Sequence, residues 1–367
     1  MIGLPDVALT PLDLANLATP RILRRVTEAS RQLAEFKGVV AALPNDQILI
    51  SALGMQEAKD SSAIENIVTT HDELFRQAAG ADASASPAAK EVLRYRQALR
   101  VGWELVRKDG LLTANHILRV QAELEQDSAG FRKVPGTTLK DSDGRVVYTP
   151  PQDARRIVAL MSELETELNA PASDGTDPLV RMAVLHHRFE SIHPFYDGNG
   201  RTGRIVNVLY LVKEGLLDLP LLFMSRGILG TRQEYYRLLQ EVREQGAWEA
   251  WVLYMLTAVT ESAREGIATV TAIRAAILEV KHLVRGRLPK LYSQDLINGL
   301  FTHPYTKIQF IESELGVTRL TATKYLDALV GAGVLEKRKV GRSSYYINVR
   351  LVRILTAPAP APVLTPA

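Results

Sequence analysis

Apolar residues recur at helical spacing along most of this chain. Between residues 21 and 36 they fall at Ile22, Val26, Leu33 and Phe36. Between 152 and 169 they fall at Ile157, Leu160, Leu164 and Leu168, and from Pro178 onward at Met182, Leu185, Phe189 and Ile192. Each series gives one apolar stripe on a helix. Pro44-Asn45 marks a turn before a second helix over 46–58, and a third helix is expected to start at Asp60 or Ser61, with Ile64, Ile67 and Val68 on its buried side. Further helices are expected over 91–108, 114–125 and 201–213, and over 231–285 with Trp248, Trp251 and Tyr254 as packing residues. Pro178 suits the first turn of its helix, where the missing N–H has no intrahelical partner to lose.

Several stretches break this period. Residues 78–89 are small and polar enough for a loop. Residues 132–149 carry the turn pair Asp143-Gly144 and the β-prone run Arg145-Val146-Val147-Tyr148-Thr149, closed by Pro150-Pro151, which reads as a hairpin. Leu288-Pro289 reads as a hinge. Beyond it come a helix over 306–315, a turn at Gly316-Val317-Thr318, a helix over 319–330 and a β-prone run over 343–349. This order resembles a winged-helix domain, with Leu315, Val317, Ala322, Leu326 and Leu329 in its core and Thr318 as N-cap. Arg319, Thr323 and Lys324 would be exposed, and Lys337, Arg338, Lys339 and Arg342 would form the wing beside Tyr345 and Tyr346. The closing Pro/Ala stretch has too little bulk to pack and is expected to be disordered. The chain is therefore expected to be mainly α. Its parts are an N-terminal helical region (1–80), a helical core with a hairpin flap near 132–149 (81–285), a winged-helix-like unit (286–350) and a tail (351–367).

A length of 367 residues exceeds one ordinary core. The absence of cysteine excludes disulfides and thiolate chemistry. A net charge of +3 points to no class of partner, but residues 281–350 hold twelve Lys and Arg against five Asp and Glu, so that end could meet a polyanion. No run approaches the roughly 20 apolar residues of a membrane span, and the first residues do not read as a secretory leader. A cytoplasmic protein with no membrane partner is expected.

The densest chemistry lies in His193-Pro194-Phe195-Tyr196-Asp197-Gly198-Asn199-Gly200-Arg201-Thr202-Gly203-Arg204, between two apolar helices. Gly198 and Gly200 permit positive φ and clear side chains from the backbone N–H groups, so the turn can cradle an anion at a helix N-terminus. Arg201 and Arg204 are three apart on that helix and suit a polyphosphate. His193 can take a proton near neutrality. Asp197 suits Mg²⁺, and Asn199 suits phosphate binding or turn stabilisation. His186 and His187 read as structural.

The stretch from Ser191 to Arg204 resembles the signature of Fic-domain proteins. That resemblance implies protein adenylylation: ATP is the substrate, Mg²⁺ the cofactor, and a Tyr, Thr or Ser hydroxyl of a target protein the acceptor. His193 would be the base and Asp197 the metal ligand. Gly198, Asn199 and Gly200 would cradle the α and β phosphates, Arg201 and Arg204 would bind the outer phosphates, and Gly203 belongs to the same nucleotide-binding turn. Ser61-Ser62-Ala63-Ile64-Glu65-Asn66 resembles the family's inhibitory helix motif, so Glu65 would pair with Arg204 and hold the enzyme latent. The same Glu65 is implicated in relatives in removing AMP. The hairpin would be the flap that holds the target, and relatives suggest a homodimer. A different class of function stands beside this one: a transcriptional regulator in which the Fic-like core senses nucleotide and residues 306–349 bind DNA. The same module could instead dock protein.

Overall fold

The computed structural model describes residues 14–43, 45–80, 86–141, 143–171, 175–340 and 343–357. The N-terminal elements are α1 (Pro20–Ala41), α2 (Asp46–Ile64) and α3 (His71–Ala78). The central ones are α4 (Pro87–Asp109), α5 (Ala114–Glu125), the hairpin β1 (Leu139–Lys140) and β2 (Val146–Tyr148), α6 (Ala154–Leu168), α7 (Pro178–Ile192) and α8 (Asn199–Lys213). Then follow α9 (Ser225–Gly230), α10 (Arg232–Gln245) and α11 (Trp248–Arg287). The chain continues with α12 (Gln294–Thr302), β3 (Tyr305–Thr306), α13 (Ile308–Leu315), α14 (Arg319–Gly331), β4 (Glu336–Val340), β5 (Ser343–Ile347) and α15 (Val349–Leu355).

Local chemistry sets the helix ends. Pro20, Pro87 and Pro178 occupy first turns, and Thr19, Thr113, Asp177 and Thr318 accept backbone N–H groups as N-caps. Gly110, Gly246 and Gly316 end their helices in the left-handed conformation.

The centre of the molecule is α7, buried from Leu179 to Ile192, with α8 against it. Such all-round burial is what a helix surrounded by others requires. Its polar groups are answered internally. Trp251 Nε1 donates to Ala183 O at 2.7 Å, His186 Nε2 lies 2.8 Å from Tyr235 Oη, and His187 Nε2 lies 3.0 Å from Leu239 O. Burial pushes both imidazoles down to about 3, so they stay neutral packing groups. α4 and α5 cover another side of α8. At Gly102 the approach is so close that an added Cβ would lie 2.5 Å from Leu209 Cδ1 and 2.8 Å from Val120 Cγ2.

Three expectations are corrected. The third helix does not exist as a separate element: nothing in Ala58-Lys59-Asp60-Ser61 breaks the period, so α2 runs unbroken to Ile64, and Val68 is exposed. The helix expected from Thr306 starts at Ile308, because Tyr305 and Thr306 pair as a strand with Ile347 and Tyr346. The tail expected from residue 351 begins later, since Leu351 and Leu355 are buried on α15, which packs on α11 and α2. Residues 358–367 lie outside the described residues, as do Arg342 and residues 81–85 of the expected loop.

The C-terminal unit contains a three-stranded antiparallel sheet in the order β3-β5-β4, packed with α12, α13 and α14. It does not stand apart across a hinge. Tyr305 Oη donates to Asp72 Oδ1 at 2.7 Å, Phe75 and Tyr305 rings lie 5.5 Å apart, and α12 packs on α2.

Gly102→Ala should destabilise the protein by about 1–3 kcal/mol through overpacking between α4, α5 and α8. A lowered denaturant midpoint with an unchanged slope would establish this, and an unchanged midpoint would refute it.

Candidate active site

The turn between α7 and α8 is held in shape by its own amide. Asn199 Oδ1 accepts Phe195 N–H at 2.8 Å, and Asn199 Nδ2 donates to Phe195 O at 2.8 Å. Both ends of the amide thus hold the turn, and Asn199 shapes the cradle. Phe195 is buried against Phe189 and Phe131. Gly198 has φ 76 and caps α8 at its N-terminus, where the helix presents N–H groups without intrahelical partners.

His193 ends α7 at φ 48, a left-handed conformation that costs a non-glycine residue about 1–3 kcal/mol. Arg132, fully buried before the hairpin, holds it there. Its Nε donates to His193 O at 2.7 Å, its Nη2 to Pro151 O at 2.6 Å and Ile192 O at 3.4 Å, and its backbone N–H to Pro194 O at 2.8 Å. Burial, then the Arg132 and Arg243 guanidiniums, push the His193 imidazole down to about 4. It is therefore neutral at physiological pH and able to accept a proton.

Arg204 is the deepest charge of the site. Its Nε donates to Ser61 Oγ at 2.8 Å, and its Nη2 donates to Ser61 O at 2.9 Å and to Glu65 Oε1 at 2.8 Å. Burial alone would lower its pKa, but the Glu65 carboxylate together with Tyr235 and Tyr95 raises it, so it stays charged. A Cβ added to Gly200 would lie 2.3 Å from Glu65 Oε1, so the Glu65 carboxylate sits over the cradle. Asn66 follows at φ 64 and accepts Arg232 Nη1 at 2.8 Å. The left-handed turn gives the reason for asparagine there, since Gly and Asn tolerate it best.

Arg201 is also buried and already paired. Its Nη1 meets Glu91, and its Nη2 lies 2.9 Å from Glu125 Oε1 and 3.8 Å from Asp197 Oδ1. Asp197 is exposed at the mouth, where one oxygen accepts Gly198 N–H at 2.7 Å. Gly203 packs against α7, where a Cβ would lie 2.7 Å from Glu190 Oε1 and 3.0 Å from Phe189 Cδ1, so it serves helix contact.

Several site residues escape sequence reasoning. Burial pushes the Glu57 and Glu190 carboxyls, both in the field of Arg204, up to about 7. Glu57 takes hydrogen bonds from Ser225 Oγ at 2.5 Å and Tyr95 Oη at 3.1 Å. Glu57, Ser61 and Glu65 are spaced by four along the end of α2, a spacing that by itself names no partner. The hairpin is fastened to the site by Tyr196, whose Oη accepts the N–H groups of Lys133 at 2.9 Å and Val134 at 3.1 Å. Tyr148 Oη donates to Ser191 O at 3.0 Å, and Arg243 lies 4.1 Å over the Tyr148 ring. No local pattern announces these long-range contacts.

Of the basic residues expected on the C-terminal unit, Lys337 pairs with Asp327 at 2.8 Å and Arg338 lies 3.6 Å from both Asp72 and Glu336. These two charges are thus paired within the protein.

With this geometry in hand, comparison with known proteins is decisive. Three family models match in order along the chain: Fic/DOC family N-terminal on residues 23–104, Fic/DOC family on 111–211, and the C-terminal domain of the protein adenylyltransferase SoFic-like group on 277–351. The chain belongs to the Fic/DOC family. Similar curated proteins include the protein adenylyltransferase fic-1 of Caenorhabditis elegans, 30% identical over 131 residues, which are 34% of this chain and 24% of that one. A probable protein adenylyltransferase of Aquifex aeolicus is 35% identical over 82 residues, 22% of this chain and 23% of that one. The chain thus spans about a quarter of the length of these relatives. Among solved structures, a Fic family protein of Desulfovibrio desulfuricans G20 matches with TM-score 0.58 at 22% identity, covering 90% of this chain and 96% of that one. Residues 134–508 of Fic-1 from C. elegans match with TM-score 0.54 at 20% identity, covering 72% and 80%. These likenesses establish the mainly helical Fic fold.

Asn199→Ala removes both bonds to the Phe195 backbone and leaves buried N–H and C=O groups unpaired. It should cost about 2–3 kcal/mol of stability. Denaturant unfolding checks this, and a loss under 0.5 kcal/mol would contradict the clamp.

Proposed function

We propose that this Fic protein transfers AMP from ATP to a hydroxyl of a protein target and is held latent by Glu65. One observation carries the reading: a neutral imidazole at His193 is joined by a single turn to the N-terminus of a helix that carries two buried guanidiniums. That combination suits phosphate-centred transfer, in which positioning and charge stabilisation dominate. The acceptor oxygen bonds to the α-phosphorus, the bond from that phosphorus to the bridging β-phosphate oxygen breaks, and the hydroxyl proton goes to the His193 imidazole. Pyrophosphate departs toward the α8 N–H groups and the arginines.

Asp197 fits magnesium, which uses few protein carboxylates and fills its shell with water and phosphate oxygens. When bound, the ion would neutralise charge on the phosphates.

The Arg204 pair supports autoinhibition. A phosphate oxygen and the Glu65 carboxylate compete for one guanidinium, and Glu65 already lies over Gly200. Since Glu65 is engaged with Arg204, the geometry favours restraint over AMP removal as its resting role. The hairpin, fastened by Tyr196, Arg132 and Tyr148, is a suitable support for an extended target segment, with Val146 and Val147 exposed. The order helix, strand, helix, helix, strand, strand from α12 to β5 supports the winged-helix reading of the C-terminal unit. The pairing of Lys337 and Arg338 with acids of the protein itself favours protein contact over duplex DNA.

With ATP labelled at the α-phosphate, Glu65→Gly should raise covalent labelling of the protein or of a cell extract by about 10- to 100-fold, the range of a coupling of 1–3 kcal/mol. His193→Ala in that background should abolish it. Label that is absent from the single mutant despite nucleotide binding would sink the reading. The pH profile supplies a second check. Because the folded His193 pKa is depressed to about 4, its base form persists as pH falls through 6.5. Labelling by Glu65→Gly should therefore not lose its base between pH 7.5 and about 5, whereas an ordinary histidine would lose most of it.

A further inference from the structure

Two carboxylates, not one, occupy the phosphate cradle. α5 ends at Glu125, after which Gln126 turns back at φ 55. One turn earlier Gln121 Nε2 approaches Asp197 O at 3.5 Å, so the last turn of α5 lies against the motif. Glu125 is carried there with a side chain only 15% exposed, its Oε1 2.9 Å from Arg201 Nη2. A Cβ built on Gly198 would lie 2.3 Å from that same oxygen, just as one on Gly200 would lie 2.3 Å from Glu65 Oε1. The two glycines whose missing side chains open the cradle are therefore each covered by an acid from a different helix, Glu65 at the end of α2 and Glu125 at the end of α5.

Arg201 does not offset this. Its guanidinium is 3% exposed and shared between Glu125 and Glu91. One positive charge between two carboxylates leaves a net negative cluster where a polyphosphate must bring more negative charge, and at such separations the repulsion is not screened by solvent.

Resting on the nucleotide reading above, we propose that Glu125 is a second acidic gate on the nucleotide, independent of Glu65: it holds Arg201 and the Gly198 half of the cradle, and must leave both before phosphates can seat. Release of Glu65 frees Arg204 and the Gly200 half alone. The gate lies outside the glycine-rich motif and outside α2, so the two acids answer to movements of different elements.

The test is calorimetric titration of the full chain with ATP and magnesium, comparing wild type, Glu65→Gly, Glu125→Gln and the double variant. Glutamine keeps the size and a hydrogen-bond acceptor for Arg201 while removing the charge, and circular dichroism and thermal unfolding report whether each variant is folded. Glu125→Gln should bind ATP about tenfold more tightly than wild type, and the double variant should exceed Glu65→Gly by a similar factor, as two separate gates require. Tighter binding by Glu65→Gly with unchanged or weaker binding on adding Glu125→Gln would overturn the proposal and make Glu125 a positioner of Arg201. Failure of every folded variant to bind ATP would instead remove the nucleotide reading, and this inference with it.

Discussion

A guanidinium taken out of water must have its charge and its N–H groups answered, and much of this molecule is arranged around that requirement at Arg204. Burying an unpaired charge is far more costly than burying a neutral side chain. Glu65 and Ser61 meet the requirement directly, while Glu57, Glu190, Tyr95 and Tyr235 fill the surrounding space. The position of α2 follows from this. It packs on α4, α8 and α9, and its buried face carries Glu57, Ser61 and the approach to Glu65. Removing one partner of a buried pair commonly costs about 3–5 kcal/mol. Here the loss is smaller, because Glu65 is about a third exposed and Ser61 would keep two of the three bonds to Arg204. The contact proposed to restrain the site is therefore also one that steadies the fold.

The second constraint is a backbone one. His193 sits in a conformation that its side chain does not favour, and Arg132 supplies the compensation through the carbonyls of Ile192, His193 and Pro151. Because Arg132 opens the segment that leads into the hairpin, His193 and hairpin are fixed by one residue. Tyr196 repeats the arrangement from the other side, receiving the next two backbone N–H groups. The hairpin has very little pairing of its own, and these attachments hold it in place.

Much of the central fold was legible because the apolar period is strong there. The stripes ending at Phe189 and Ile192 and at Leu164 and Leu168 fall on α7 and α6, and the glycine-rich turn lies between buried helices. The Ser61, Glu65 and Arg204 contact was legible only through family resemblance, since Ser and Glu at a spacing of four carry no information by themselves. What misled was local reading of segments fixed by distant partners. Thr306 is a strand because residue 346 pairs with it, and residues 351–355 are a helix because α11 and α2 offer apolar surface. Asn199 suits phosphate or turn by sequence alone, and the geometry shows the turn bonds that its amide makes. Glu91, Glu125 and Arg132 had no visible pattern, because each acts across a fold that brings remote helices together.

The first described helix packs along α11, and Thr19 Oγ1 donates to Glu249 Oε1 across 230 positions of sequence. During synthesis, α1 therefore leaves the ribosome long before its partner exists. Its apolar face, with Ile22, Leu33 and Phe36, stays uncovered while most of the polypeptide is made. At roughly 5–20 residues per second, that interval lasts on the order of ten seconds or more. The N-terminal region is thus among the last parts to reach its final packing, and nascent chains carry a sticky surface that only the completed α11 conceals.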